Sequence, residues 1–167
     1  DVDELRRECR AQVARALQWG LDVTHLGSHL DALTLRPEFF DVYLELAEEF
    51  DLPIRVPDEV AGSRLQFPLR DLAAEVGVLH PDRVVSLRSA GSRDALLGLL
   101  RDLEPGVTEV RLHPATDSSE LRAFDPDWNR RVLEYQLVTG DAELSAVLSS
   151  VRPIGYRLLR DAQRRMR

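Results

Sequence analysis

Three histidines stand where imidazole chemistry is expected. His25 and His29 lie four residues apart in Thr24-His25-Leu26-Gly27-Ser28-His29, at the end of an apolar, strand-like run. His113 follows a second such run in Val110-Arg111-Leu112-His113-Pro114-Ala115. Imidazole is the commonest metal ligand and titrates near neutral pH, so the pattern points to metal binding or general acid/base work. In a parallel α/β fold the strand C-terminal ends share one face, where ligand sites collect. The three imidazoles are therefore expected to converge there.

Each position also admits a packing role. His25 could end a strand and donate to a backbone carbonyl, and His29 could be a loop residue. His113 precedes Pro114, which disfavours strand continuation. His80, in Leu79-His80-Pro81, is read as structural. Arg55 would orient a ligand or join an ion pair.

Helical and strand-like patterns alternate around these residues. Residues 3–19 read as an amphipathic helix stopped by Gly20, with Val2, Leu5, Cys9, Val13 and Leu17 on its apolar face. Residues 21–26 are the first strand. Pro37 opens a second helix carrying Phe40, Tyr43, Leu44, Ala47 and Phe50 at helical spacing. Strands follow at 52–56, 84–88 and 107–112, with a short helix at 68–76 and a mobile loop expected at 58–67. Ser92 is an N-cap for a helix to Leu103 that buries Leu96, Leu99, Leu100 and Leu103. Asp125-Pro126-Asp127 reads as N-cap, N1 and N2 of a helix ending at Gly140. Residues 141–151 are helical, 152–155 a last strand and 156–165 a last helix. Strands separated by helices imply parallel pairing, in an open sheet or part of a (β/α) barrel.

Composition narrows the function. The 167 residues suit one α/β domain, and 44% hydrophobic with 31% charged is ordinary for a globular protein. All 22 basic residues are arginine. Without lysine, neither a pyridoxal or Schiff-base enzyme nor a Walker A loop can be complete in this chain. A net charge of −7 argues against general nucleic-acid binding. The cluster Arg157, Arg160, Arg164, Arg165, Arg167 is read as a solvated helix end. No run reaches the length of a membrane span. The single cysteine, Cys9, reads as a buried structural thiol, and the absence of an internal disulfide fits a cytoplasmic location. The chain lacks an initiator methionine and reads as the later part of something longer.

The first histidine segment resembles the T-H-x-D-S-H motif of the YdjC-like carbohydrate deacetylases. Glu109-Val110-Arg111-Leu112-His113-Pro114 resembles their E-x-x-x-H-P. Pro37-Glu38-Phe39-Phe40, Glu45-Leu46-Ala47-Glu48-Glu49-Phe50 and Leu52-Pro53-Ile54-Arg55 resemble the helix and strand after the first motif, and Gly155-Tyr156-Arg157 the closing strand. The resemblance implies a barrel-like α/β deacetylase fold, of which this single domain would be the C-terminal portion. It also implies metal-assisted removal of acetyl groups from N-acetylated sugars, with one Asp and two His as ligands to magnesium or zinc. His29 matches one ligand; the other two positions would lie upstream, in an N-A-D-D segment and a His-containing strand absent here. His113 and His25 are the catalytic candidates. The chain departs from the motif at Gly27, where the family has Asp, and at Leu30 and Asp31, where histidines often follow.

Two functions follow as expectations. One is a metal-dependent carbohydrate deacetylase of the cytoplasm, inactive as this portion alone, a homo-oligomer being possible. The other is a non-catalytic domain of that fold that has lost metal ligands and binds sugar or a partner protein. Another metal-assisted amide hydrolase on the same scaffold is a third.

Overall fold

A computed structural model of the chain describes residues 1–57 and 68–166. The 58–67 segment read above as a loop lies outside the described residues. The chain divides into two units, Asp1–Pro81 with Ile154–Arg167, and Asp82–Pro153.

In the first unit, Asp1 caps helix α1 (Val2–Gln18), its carboxylate accepting from the Asp3 amide at 2.9 Å. Asp3 and Glu4 suit the positive end of the helix dipole. Val2, Cys9 and Val13 pack on the core, and burial pushes the Cys9 thiol up. Leu17, expected on the same face, is exposed. Helix α2 (Pro37–Glu49) starts on Pro37, whose missing N–H costs nothing at that position. It buries Phe40, Val42, Tyr43, Leu44, Leu46 and Ala47, so it is the centre of the core rather than a surface helix. Leu26, Leu52, Ile54, Val56, Val78, and Leu69 and Ala73 of α3 (Leu69–Glu75) complete that core. Each side chain of this size, fully buried, contributes about 1.5–3 kcal/mol.

Among the described residues, the backbone of this unit pairs in parallel at one bridge, Leu26 with Ile54. The Leu26 amide donates to Pro53 and the Arg55 amide to Leu26, both at 2.9 Å, while Ile54 donates to Leu79 at 2.9 Å. The strands expected at 21–26 and 52–56 thus shorten to a single bridge. For the first of them, the Val23 amide bonds back to Leu21 and Arg160, from the last helix, grips the Val23 carbonyl, so this backbone is turned away from a ladder. The final helix, α9 (Tyr156–Met166), buries Leu159, Arg160 and Gln163.

The second unit contains the longer parallel pair, β1 (Arg83–Ser86) with β2 (Thr108–Arg111), in the register Val84–Glu109 and Val85–Val110. The strand expected at 84–88 ends at Ser86, and Leu87 opens α4 (Leu87–Ala90). Ser92 caps α5 (Arg93–Arg101) as expected, accepting from Ala95 at 3.2 Å. Leu96, Leu97 and Leu100 are buried there, whereas Leu99 points outward and Leu103 is partly buried. Helix α6 (Ser119–Phe124), capped by Ser118, has no counterpart in the sequence reading. Helix α7 (Trp128–Gly140) begins later than expected: Asp125 turns the chain by accepting from the Asp127 amide at 2.8 Å, so Asp127 precedes the helix and Pro126 lies outside it. Asp141 caps α8 (Ala142–Ser150) by accepting from Leu144 at 2.8 Å. Leu87, Leu96, Leu97, Leu100, Leu137, Leu144 and Val147 form the core. Residues 152–155 form no strand; all four are exposed, and Pro153 has no amide to offer a ladder.

The architecture is α/β with parallel pairing, as expected. Among the described residues no helix is long and apolar enough to cross a membrane.

Candidate functional site

The first histidine segment runs off the Leu26–Ile54 bridge. Tyr43, 1% exposed, reaches from α2 to this end of the bridge, its hydroxyl donating to the Leu26 carbonyl at 2.7 Å and lying 3.3 Å from that of Arg55. Burial pushes its phenol well above the usual range, so the group is a fixed donor rather than a titrating one. His25, half-buried, precedes this anchor. Its Nδ1 lies 3.0 Å from Thr24 Oγ1. Its ring stacks on Tyr156, with centroids 3.9 Å apart and planes inclined by 11°. Arg55 Cζ lies 5.9 Å from the centroid of the same tyrosine ring.

Beyond Leu26 the chain opens at Gly27. A Cβ there would meet only Arg55 Nη1, at 3.5 Å. Ser28 then fixes the turn: its hydroxyl accepts from Leu33 at 2.8 Å and its carbonyl from Asp31 at 3.2 Å. His29 opens a 3₁₀ segment, His29–Thr34, and is exposed. Leu30 and Asp31 follow with φ of 51° and 55°, two successive left-handed residues that are not glycine. Such conformations cost of order 1–3 kcal/mol each and cluster at ligand sites and switches.

His113 belongs to the second unit, two residues after β2, and is exposed. Its amide donates to Glu134 Oε2 at 2.5 Å. Glu134 is fully buried on α7 and accepts from Arg130 at 2.7 Å one turn earlier. His80 is held by backbone: its Nδ1 is 3.0 Å from the Pro81 carbonyl and 3.2 Å from Arg70 Nη1.

The structure thus gives His25 a ring partner, leaves His29 on a strained exposed turn, and hangs His113 from a buried carboxylate. Among the described residues no three His, Cys, Asp or Glu side chains gather as a metal-binding group. The described residues by themselves therefore do not gather the roughly three protein ligands that a catalytic metal site needs.

Sequence places Tyr43 in the core, Tyr156 in the closing segment and Arg160 in the arginine cluster, none of them beside the histidines, and it does not single out Glu134. Glu134 carried a legible signal, an acidic residue one turn before Leu137 on the buried face of α7. Arg160 corrects the reading of the C-terminal arginines as a solvated helix end. It is buried, bonds Asp22 and donates to the Val23 carbonyl at 3.0 Å, while Arg157 reaches Asp22 at 2.5 Å. These contacts hold the Asp22 carboxyl below the usual range, chiefly through Arg160.

The sequence profile of the YdjC-like protein family matches residues 1–149. A carbohydrate deacetylase of Thermus thermophilus is 32% identical over 166 residues, covering 96% of this chain and 61% of the relative. A carbohydrate deacetylase of Thermoanaerobacter pseudethanolicus is 27% identical over 139 residues, covering 83% of this chain and 53% of the relative. The crystal structure of an Enterococcus faecalis protein named for cellobiose-phosphate cleavage superposes with a TM-score of 0.75 at 23% identity, over 95% of this chain and 61% of that one. That likeness concerns the fold. The chain spans about half to three fifths of the length of these relatives.

Proposed function

The chain belongs to the YdjC-like family, and from that premise we propose that it is the larger part of a carbohydrate deacetylase, hydrolysing the acetamide of N-acetylated sugars. The observation that carries this reading is the ordered histidine segment at the end of the Leu26–Ile54 bridge, with His25 stacked on Tyr156 and His29 on a left-handed turn. Bridge, phenol anchor and ring stack are rigid elements of the kind that hold reacting groups in place.

Amide hydrolysis needs an activated water, stabilisation of the carbonyl oxygen as it gains charge, and a proton for the departing amine. In this reading His113 gives that proton, and His25 holds or relays a proton beside the reacting group. General acid catalysis of this kind is worth about 10²–10⁴-fold. His29 is proposed as one ligand of a magnesium or zinc ion. The residues described here do not complete that ion's site, and the remaining ligands would come from sequence outside these 167 residues. A part of a (β/α) barrel is proposed as the frame.

The test uses the chain completed with the part of the Thermus thermophilus relative that it does not cover. Acetate release from N-acetylated sugar oligomers and metal content are measured together. His29→Ala is expected to lose metal and activity. His113→Ala is expected to keep metal and lose about 10²–10⁴-fold in rate. Undiminished acetate release from the His113 variant would remove it from the mechanism, and lost metal would make it a ligand. Sugar binding without acetate release by the completed wild type would instead favour the non-catalytic reading, to which Gly27, in place of the motif carboxylate, already lends support.

A further inference from the structure

The last helix carries few apolar residues, and polar side chains fasten it. Arg160, 8% exposed, bonds Asp22 and the Val23 carbonyl, just ahead of His25. Gln163, fully buried, accepts from the Leu79 amide at 2.7 Å and donates to Asp51 at 3.2 Å. Leu79 in turn accepts from Ile54, the bridge partner of Leu26. The helix is thus tied to both sides of the backbone that carries His25. Its first residue, Tyr156, lies flat on the His25 ring at 3.9 Å. The Thr24 contact at Nδ1 sets a direction within the ring plane, and the stack on Tyr156 sets the tilt of that plane.

We propose that Tyr156 is a positioning residue that holds the ring of His25 in one orientation for the deacetylation proposed above. Its role is carried by the aromatic face, because stacking needs only a ring of that size. For the stack itself, phenylalanine should serve and an aliphatic residue should not. Arg160 and Gln163 anchor the helix independently, so a change at Tyr156 leaves the helix docked.

The experiment follows the ring protons of His25 by NMR in the 167-residue chain, assigned by their loss in His25→Gln. In the wild type they are shifted upfield of the other histidines by the tyrosine ring current. Tyr156→Phe is expected to keep that shift and Tyr156→Leu to abolish it, with thermal melting showing that both variants remain folded. In the completed protein, Tyr156→Leu is expected to lower kcat by up to about 10²-fold at unchanged KM, and Tyr156→Phe to restore it. An unshifted His25 in the wild type, or a shift that survives Tyr156→Leu, would overturn the positioning role. So would a kcat that Tyr156→Leu leaves intact in an active protein. If the completed wild type releases no acetate while the His25 shift follows the aromatic ring at 156, the proposed reaction fails and the positioning of His25 by Tyr156 stands.

Discussion

Tyr43 in the first unit and Glu134 in the second do the same job with opposite chemistry. Each is a buried side chain on a helix that catches backbone beside a candidate histidine. Tyr43 gives a neutral hydroxyl to the Leu26 carbonyl, which already accepts from Arg55. Glu134 takes the His113 amide and holds Arg130 as well. The phenol adds a second bond to a satisfied acceptor. The carboxylate is one charge of a desolvated pair, with Arg130 only 20% exposed. Segments of similar form can therefore differ in how much depends on one side chain.

The largest expected effect separates the two anchors. Tyr43→Phe removes a neutral hydrogen bond and should cost about 1 kcal/mol. Glu134→Ala leaves the Arg130 cation without its nearest buried partner and the His113 amide without an acceptor. Breaking a buried pair costs about 3–5 kcal/mol, and the low end applies because Arg130 keeps Asp127 at 3.1 Å. Urea unfolding of both variants measures the gap. Equal losses would dissolve the comparison, and a larger loss at Tyr43 would reverse it.

The helices were the legible part of this molecule. A period of 3.6 is a property of one segment, so α1, α2, α5, α8 and α9 could be placed to within a few residues. Strands need a partner, and neither the turn at Leu21–Val23 nor the grip of Arg160 on it is visible in alternating hydrophobicity. The histidine segments were legible as motifs, and the packing around them was not. The His25–Tyr156 stack joins distant parts of the sequence, and nothing local to either residue announces it. Glu134 broke the apolar pattern of its helix, which is the mark of a buried anchor.

Acid should loosen the second unit before the first, a smaller effect than loss of Glu134. Among the described residues, Asp117, Asp125, Asp141 and Glu143 of the second unit are held below the usual carboxylate range. Arg122 lowers Asp117, the Asp127 amide lowers Asp125, and Arg93 lowers Asp141 and Glu143. Asp22 and Glu38 are so held in the first. A depressed value in the folded state means stabilisation that is complete above the ordinary carboxylate range, about pH 4, and is lost as pH falls through the depressed values. Asp22, Glu38, Asp117 and Glu143 are exposed, and Asp125 and Asp141 are half-buried with arginine partners that reach solvent, so each contributes little and the difference emerges only in sum. Hydrogen exchange at pH 7 and pH 3 should show amides of α5 and α8 losing protection ahead of those of α2. The opposite order would mean that the arginine clusters are ornamental and that core packing alone sets acid resistance.

The smallest effect sharpens the contrast at two glycines. Gly106, in the second unit, has φ of +133°, and a Cβ there would lie 2.7 Å from the Asp82 carboxylate that accepts from Val107. Gly27 has neither feature: its φ is not positive, and a Cβ would make an ordinary contact with Arg55. Replacing glycine where the backbone already suits an L residue stabilises by about 0.4–1 kcal/mol, chiefly by narrowing the unfolded ensemble. Gly27→Ala should therefore raise the melting temperature by about 1–3 °C. Gly106→Ala should lower it, because the side chain must displace Asp82 from its hydrogen bond. Gly27→Asp carries the same Cβ and sets a carboxylate beside the Arg55 guanidinium, so it should be at least as stable as the alanine variant. A fall in melting temperature for Gly27→Ala would show that the turn into Ser28 and His29 needs more room than the backbone angle requires, and would place Gly27 alongside Gly106 as a constrained position.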